Sequence, residues 1–153
     1  MGFRRDMGCD GMEKRKQTSG ILHVHSLETD QVMPTTITFL KNKYALVYTE
    51  DNEGWQGTKT RMVIDVSDPE DPQLRVVRKG HVESDYTFIN GKKTEGYYRL
   101  PEGDITLEVV TAELNVTLQG NSLHAVLSAW MTMQKTETIP LQIVMDLTWD
   151  EDD

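Results

Sequence analysis

The chain has 153 residues, 37% of them hydrophobic, which suits one domain able to bury about two-thirds of the surface its unfolded form exposes. No apolar run approaches the roughly 20 residues that cross a bilayer, and no short apolar core follows the N-terminus; these exclude a spanning helix and a secretory signal, so a cytoplasmic protein with no membrane partner is expected. The formal charge of −9 is split, +2 over residues 1–17 and −11 over the rest, and repulsion between the acidic body and phosphate argues against nucleic acid as a partner.

Residues 1–17 hold three glycines, three methionines and no apolar period, and they read as a disordered leader in which Met12 is an alternative first residue. Gly2 opens a myristoylation pattern that fails at Asp6. The single cysteine, Cys9, can form no internal disulfide, which agrees with a reducing compartment. The fold is expected over residues 18–150, with 151–153 as an acidic tail.

From Ser19 to Glu28 the run Ile21, Leu22, His23, Val24, His25 is a strand start. His23 and His25 share one face at a spacing that a metal site can use, but nothing else nearby supplies a matched pair of ligands; they read as two partly exposed imidazoles on a strand, and no metal and no cofactor is expected. Thr35–Leu40 and Tyr44–Glu50 form a hairpin about Lys41-Asn42-Lys43, followed by a loop over Asp51–Gln56. Thr58, Thr60, Met62, Ile64 and Val66 then alternate with Lys59, Arg61, Val63 and Asp65, and Asp68-Pro69 and Asp71-Pro72 are turns that no central strand accepts. Leu74–Lys79 follows. Val82–Ile89 and Thr94–Leu100 make a hairpin at Asn90-Gly91, which sets Ser84 opposite Tyr98 and lays the ring of Tyr86 over Gly96.

The next strand runs from Asp104 to Leu118. Its apolar positions are odd through Val109 and even from Val110, the one-residue phase change of a β-bulge. Gly120-Asn121 then turns Leu118 back onto Leu123, Val116 onto Ala125, Leu114 onto Leu127 and Ala112 onto Ala129. From Ser122 to Gln134 and from Ile139 to Trp149 the odd positions are apolar, and a turn over Lys135–Glu137 pairs Met133 with Ile139 and Leu127 with Met145. About ten strands, short turns and no helical period make this an all-β chain. We expect a single antiparallel up-and-down β-barrel of about 8–10 strands, since closure removes the edges.

Several short stretches, in their order and spacing, resemble a known family. They are Leu46-Val47-Tyr48-Thr49-Glu50, Gly57, Thr58-Lys59-Thr60, Val77-Arg78-Lys79-Gly80, Phe88, Gly91, Tyr97-Tyr98, Pro101-Glu102-Gly103 and Thr111. From about Ile21 to Trp149 the chain resembles the YwiB-like family of small bacterial β-barrel proteins. The resemblance implies a lipocalin-like (calycin) barrel in the cytoplasm, in a family of uncharacterised role with no catalytic residues to transfer. The Pro69 and Pro72 turns and the long leader depart from the pattern.

Three function classes follow. In the first, the barrel lumen binds a small amphipathic or anionic ligand among flexible methionines (Met62, Met131, Met133, Met145) and alanines. Chain direction gathers Glu50, Thr60 and Arg78 at one mouth with Tyr48 just below, so that Arg78 meets a carboxylate or phosphate while Glu50 holds it. The same residues can instead be an ion pair that only closes the barrel end. The phase opposite to this one is open too, because Val47 and Val77 are apolar. In the second class the barrel is filled and the protein is an interaction module, a monomer or weak homodimer with Val126, Trp130 and Val144 on its outer face. The third class is an enzyme, and no nucleophile elbow, P-loop, HExxH or Cys-x-x-Cys supports it.

Overall fold

In the computed structural model, residues 16–27, 29–50 and 57–150 are described. Ten strands, β1 (Lys16–Ser26), β2 (Asp30–Leu40), β3 (Lys43–Thr49), β4 (Lys59–Asp65), β5 (Gln73–Lys79), β6 (Glu83–Ile89), β7 (Lys93–Leu100), β8 (Gly103–Gln119), β9 (Ser122–Met133) and β10 (Glu137–Trp149), make one sheet. Each pairs antiparallel with the next, and β1 pairs with β10, so the sheet closes into an up-and-down barrel. Among the described residues no helix is long and apolar enough to cross a membrane. β1 takes in Lys16 and Gln17, assigned above to the leader, by pairing them with Phe39 and Thr38; residues 1–15 and 151–153 lie outside the described residues.

Alternation does the work of closure. Leu22, Ile37, Leu46, Ile64, Leu74, Val76, Phe88, Leu107, Val109, Leu114, Leu123, Leu127 and Leu147 all point inward and are buried, each a period-2 member of its strand. At one end Phe39, Tyr44 and Trp149 meet with ring centroids 5.3–6.2 Å apart and plug the barrel. Gly96 lies so close to β6 that a Cβ there would fall against the Asp85 carbonyl and 2.7 Å from the Cβ of Tyr86, so the close approach of the two backbones requires a residue without a side chain.

Two registers differ from the sequence expectation. Met131, not Met133, stands opposite Ile139, and Leu127 stands opposite Ile143, a slip of two residues that leaves every side chain on its expected face. The cause is a shorter turn, Gln134-Lys135-Thr136, with Gln134 and Lys135 at φ 52 and 63°. The bulge in β8 is real but lies two residues later than Val109/Val110: Thr111 pairs with Ala129, Glu113 with Ser128, and Ala112 is the extra residue. Val110 points outward beside Trp130 while Thr111 is buried, so two adjacent residues invert the usual link between polarity and side. The outward phase of Trp130 is as expected, and it is 51% exposed.

β2 begins at Asp30, five residues before the expected start, and carries Pro34 in its middle. Its ladder with β1 runs through Asp30, whereas its ladder with β3 stops at Thr36 opposite Val47. In an antiparallel strand the N–H groups of alternate residues point the same way. Leu40, Thr38 and Thr36 face β3, so Pro34 in the same phase lacks its N–H on the side where the ladder has ended. Thr35 bridges the seam by donating its hydroxyl to the Val47 carbonyl at 3.0 Å.

Candidate functional site

Tyr48, Thr60, Arg78, Ser84 and Tyr98 are successive cross-strand neighbours from β3 to β7, one row running round the inside of the barrel. Glu50, just past β3, is tied to the same end by its N–H, which bonds the Thr58 carbonyl at 2.7 Å. Gly80, at φ 135°, closes that end tightly enough that a Cβ would stand 2.9 Å from the Cα of Thr58. The even phase therefore points inward on β3, β4 and β5, and Val47 is on the outside. All four residues expected at the mouth come together.

Glu50 is the hub. Its Oε2 accepts from the Thr60 hydroxyl at 2.5 Å and from the Arg78 Nε–H at 3.4 Å, with the Glu50 side chain 6% and the Arg78 side chain 13% exposed. An ion pair withdrawn from water to this degree depends on further hydrogen bonds. Two residues outside the expected set supply them: Arg78 Nη1 donates to the hydroxyl of Tyr86 at 2.7 Å and to that of Ser84 at 3.3 Å. The guanidinium also lies 5.7 Å from the centre of the Tyr86 ring. Tyr98 completes the group, its hydroxyl 3.5 Å from that of Tyr86. Continuing the Arg78 row through the expected Ser84–Tyr98 pair would have found all three from sequence, since Tyr86 is the next inward position on β6.

Burial, and then the nearby charge of Glu50, push the Tyr48 hydroxyl well above the usual phenol range. Burial, and then Tyr86, do the same for Tyr98. For Arg78 burial works against the charge, but the oxygens of Tyr86, Tyr98 and Tyr48 outweigh it, and the guanidinium holds its proton more firmly than an ordinary arginine. At neutral pH Arg78 is a cation and Tyr48 and Tyr98 are hydroxyl donors.

Tyr48, Glu50, Arg78, Tyr86 and Tyr98 border a lumenal cavity of about 280 Å³, whose other walls include Val24, Leu74, Val76, Leu127, Met131, Ile139, Leu141, Ile143 and Met145, with Met62 and Phe88; Thr60, expected among the ligand-binding residues, holds Glu50 but does not line it. Met133, expected in the lumen, does not line it. Gln31, Tyr48 and Glu50 also line a cleft of about 920 Å³ along the β2–β3 seam, so the polar end of the cavity adjoins the side where the ladder stops.

On the outer face, His23 and His25 meet Asp30, which the early start of β2 brings opposite His25. Asp30 Oδ1 lies 2.5 Å from His23 Nε2 and 3.2 Å from His25 Nδ1. The sequence reading did not place Asp30 beside the histidines because it left residues 30–34 outside the strand.

The comparisons fit this barrel. The family model described as Domain of unknown function (DUF1934) matches residues 19–143. Among solved structures, the chain is similar to the crystal structure of ywiB protein from Bacillus subtilis, with a TM-score of 0.64 and 20% identity over 93% of this chain and 98% of that one. No curated protein matches. With four-fifths of the chain inside the family match and the barrel shared with ywiB, this chain is YwiB-like and belongs to the DUF1934 family.

Proposed function

We propose that the protein binds a small amphipathic molecule in the barrel lumen, its polar head at Arg78, Tyr86, Tyr98 and Tyr48 and its apolar part among the methionines and aliphatic residues. The observation that carries this reading is the segregation of the lining: the polar side chains Gln31, Glu50, Arg78 and the three tyrosines line one part of a cavity of about 280 Å³ whose remaining walls are apolar. Ligand pockets run from about 300 Å³ upward, so the occupant is small. Glu50 already balances the charge of Arg78, so the head need not be an anion; it needs only to accept hydrogen bonds from Arg78 and exchange them with tyrosine hydroxyls.

Native mass spectrometry of freshly purified protein would reveal a retained ligand, and 1-octanol and octanoate serve as neutral and anionic probes. A saturable rise in melting temperature with either probe is expected. Arg78→Met alone leaves the Glu50 carboxylate buried without its partner and costs about 3–5 kcal/mol of stability. Combined with Glu50→Gln, it should fold, and should weaken octanoate about tenfold or more, since a charge-assisted hydrogen bond is worth about 1.5–3 kcal/mol. A barrel that retains nothing and responds to neither probe would refute lumenal binding and leave the ion pair as a closure of the barrel end. The observation favouring a second reading, association with another copy of the chain, is the exposed Trp130 between Val110 and Pro140 on the outer face. Light scattering across a dilution series would reveal the dimer.

A further inference from the structure

On β1, Leu22 is buried and Val24 packs on the core, so the odd residues His23 and His25 project from the outer face of the barrel. Their rings lie 3.9 Å apart between centroids, tilted by 43°, and each turns a nitrogen towards the same carboxylate oxygen of Asp30. No two of the three donor atoms are more than 4.8 Å apart. Two imidazoles of β1 thus converge on one carboxylate oxygen of β2, an arrangement in which a cation can take the space between the three donors.

We propose that His23, His25 and Asp30 form a site for a divalent transition cation, zinc foremost, on the outer face of the β1–β2 hairpin. Two imidazole nitrogens and one carboxylate oxygen suit zinc, nickel or copper, whereas magnesium and calcium take all-oxygen sets. With bonds of about 2.1 Å, tetrahedral ligands stand about 3.4 Å apart. The His25–Asp30 separation of 3.2 Å is already near that value, and the His23–Asp30 contact of 2.5 Å opens by about 1 Å. The side chains have room to make this adjustment, being 35%, 44% and 64% exposed, and the same exposure leaves the remaining coordination position to solvent. The cation would pin β1 to β2 beside the stretch of β2 that has no β3 partner.

The neighbouring strands supply a built-in control. Asp146 on β10 stands opposite His23, and its carboxylate meets His124 Nδ1 at 2.6 Å. That is the same chemistry with one imidazole fewer, and the three-residue group is the one such cluster among the described residues.

The test uses the full chain without an affinity tag, carrying Cys9→Ser so that the N-terminal thiol contributes nothing. Cobalt is titrated by its visible spectrum and zinc by calorimetry. One equivalent is expected, with a zinc-dependent rise in melting temperature. Loss of a partner that merely orients a ligand costs 10–100-fold in affinity, so removing a ligand by His25→Ala or Asp30→Ala should cost about a hundredfold or more and abolish the zinc-dependent rise. The histidines are half-buried on the outer face and Asp30 is exposed, so the metal-free melting temperature of these variants should stay close to the parent value. His124→Ala should bind as the parent does. The proposal is overturned by absence of saturable binding, by binding that survives His23→Ala with His25→Ala, or by an equal loss in His124→Ala.

Discussion

Thr111 is a polar residue in an apolar place. It is 1% exposed, and its hydroxyl is the one buried side-chain polar atom without a hydrogen-bond partner among the described residues. The bulge puts it there: with Ala112 as the extra residue, the inward phase of β8 continues through Thr111 before it shifts. A buried hydroxyl without a partner costs about 1–3 kcal/mol, so Thr111→Val, which keeps the shape, should stabilise the fold by about 1 kcal/mol and raise the melting temperature by roughly 2–4 °C. A lower melting temperature would mean that the hydroxyl is needed. The candidate site was more legible at this scale than Thr111 was. Glu50, Thr60 and Arg78 share the even phase with Leu46, Met62, Ile64, Leu74 and Val76, and five buried apolar residues outweigh Val47 and Val77, because β-branched residues also suit the wet face of a pleat. Asp30 was illegible for a different reason: nothing in its own sequence links it to His25, and only the strand pairing does.

Strand identity was set by alternation and strand register by turns, and the two were not equally readable. Alternation fixed the faces of β9 and β10 even though the turn at Gln134-Lys135-Thr136 moved their pairing by two, because a slip of two preserves the side-chain phase and a slip of one inverts it. The start of β2 was misread because Pro34 removes a ladder donor. It is tolerated because, in its phase, the missing N–H falls on the side where the β3 ladder has ended. The face assignment on β9 has a direct check. Leu127 is 2% exposed in the middle of the strand, so Leu127→Asp would bury an unpaired carboxylate and should abolish folding. Ser128 points the other way and accepts from Gln142 Nε2 at 2.8 Å, a bond that an aspartate could also accept, so Ser128→Asp should change stability by no more than about 0.5 kcal/mol. Circular dichroism and thermal melts of the two variants would expose a wrong assignment if they behaved alike.

For the molecule as a whole, closure of ten strands leaves one stretch unsealed, the first half of β2, where no ladder partner stands on the β3 side among the described residues. An unpaired strand margin is a template on which a second chain can add its own strand. At position 34 a proline blocks that addition twice: it offers no N–H, and its ring occupies the space an incoming strand would need. On these grounds Pro34 is expected to guard against self-association, a role unrelated to anything the lumen binds. A Pro34→Thr variant, given a residue that favours strands, should remain folded yet elute as dimers and larger species that grow with concentration and bind thioflavin T on storage. If it stays monomeric wherever the parent does, the margin is protected by something other than the proline.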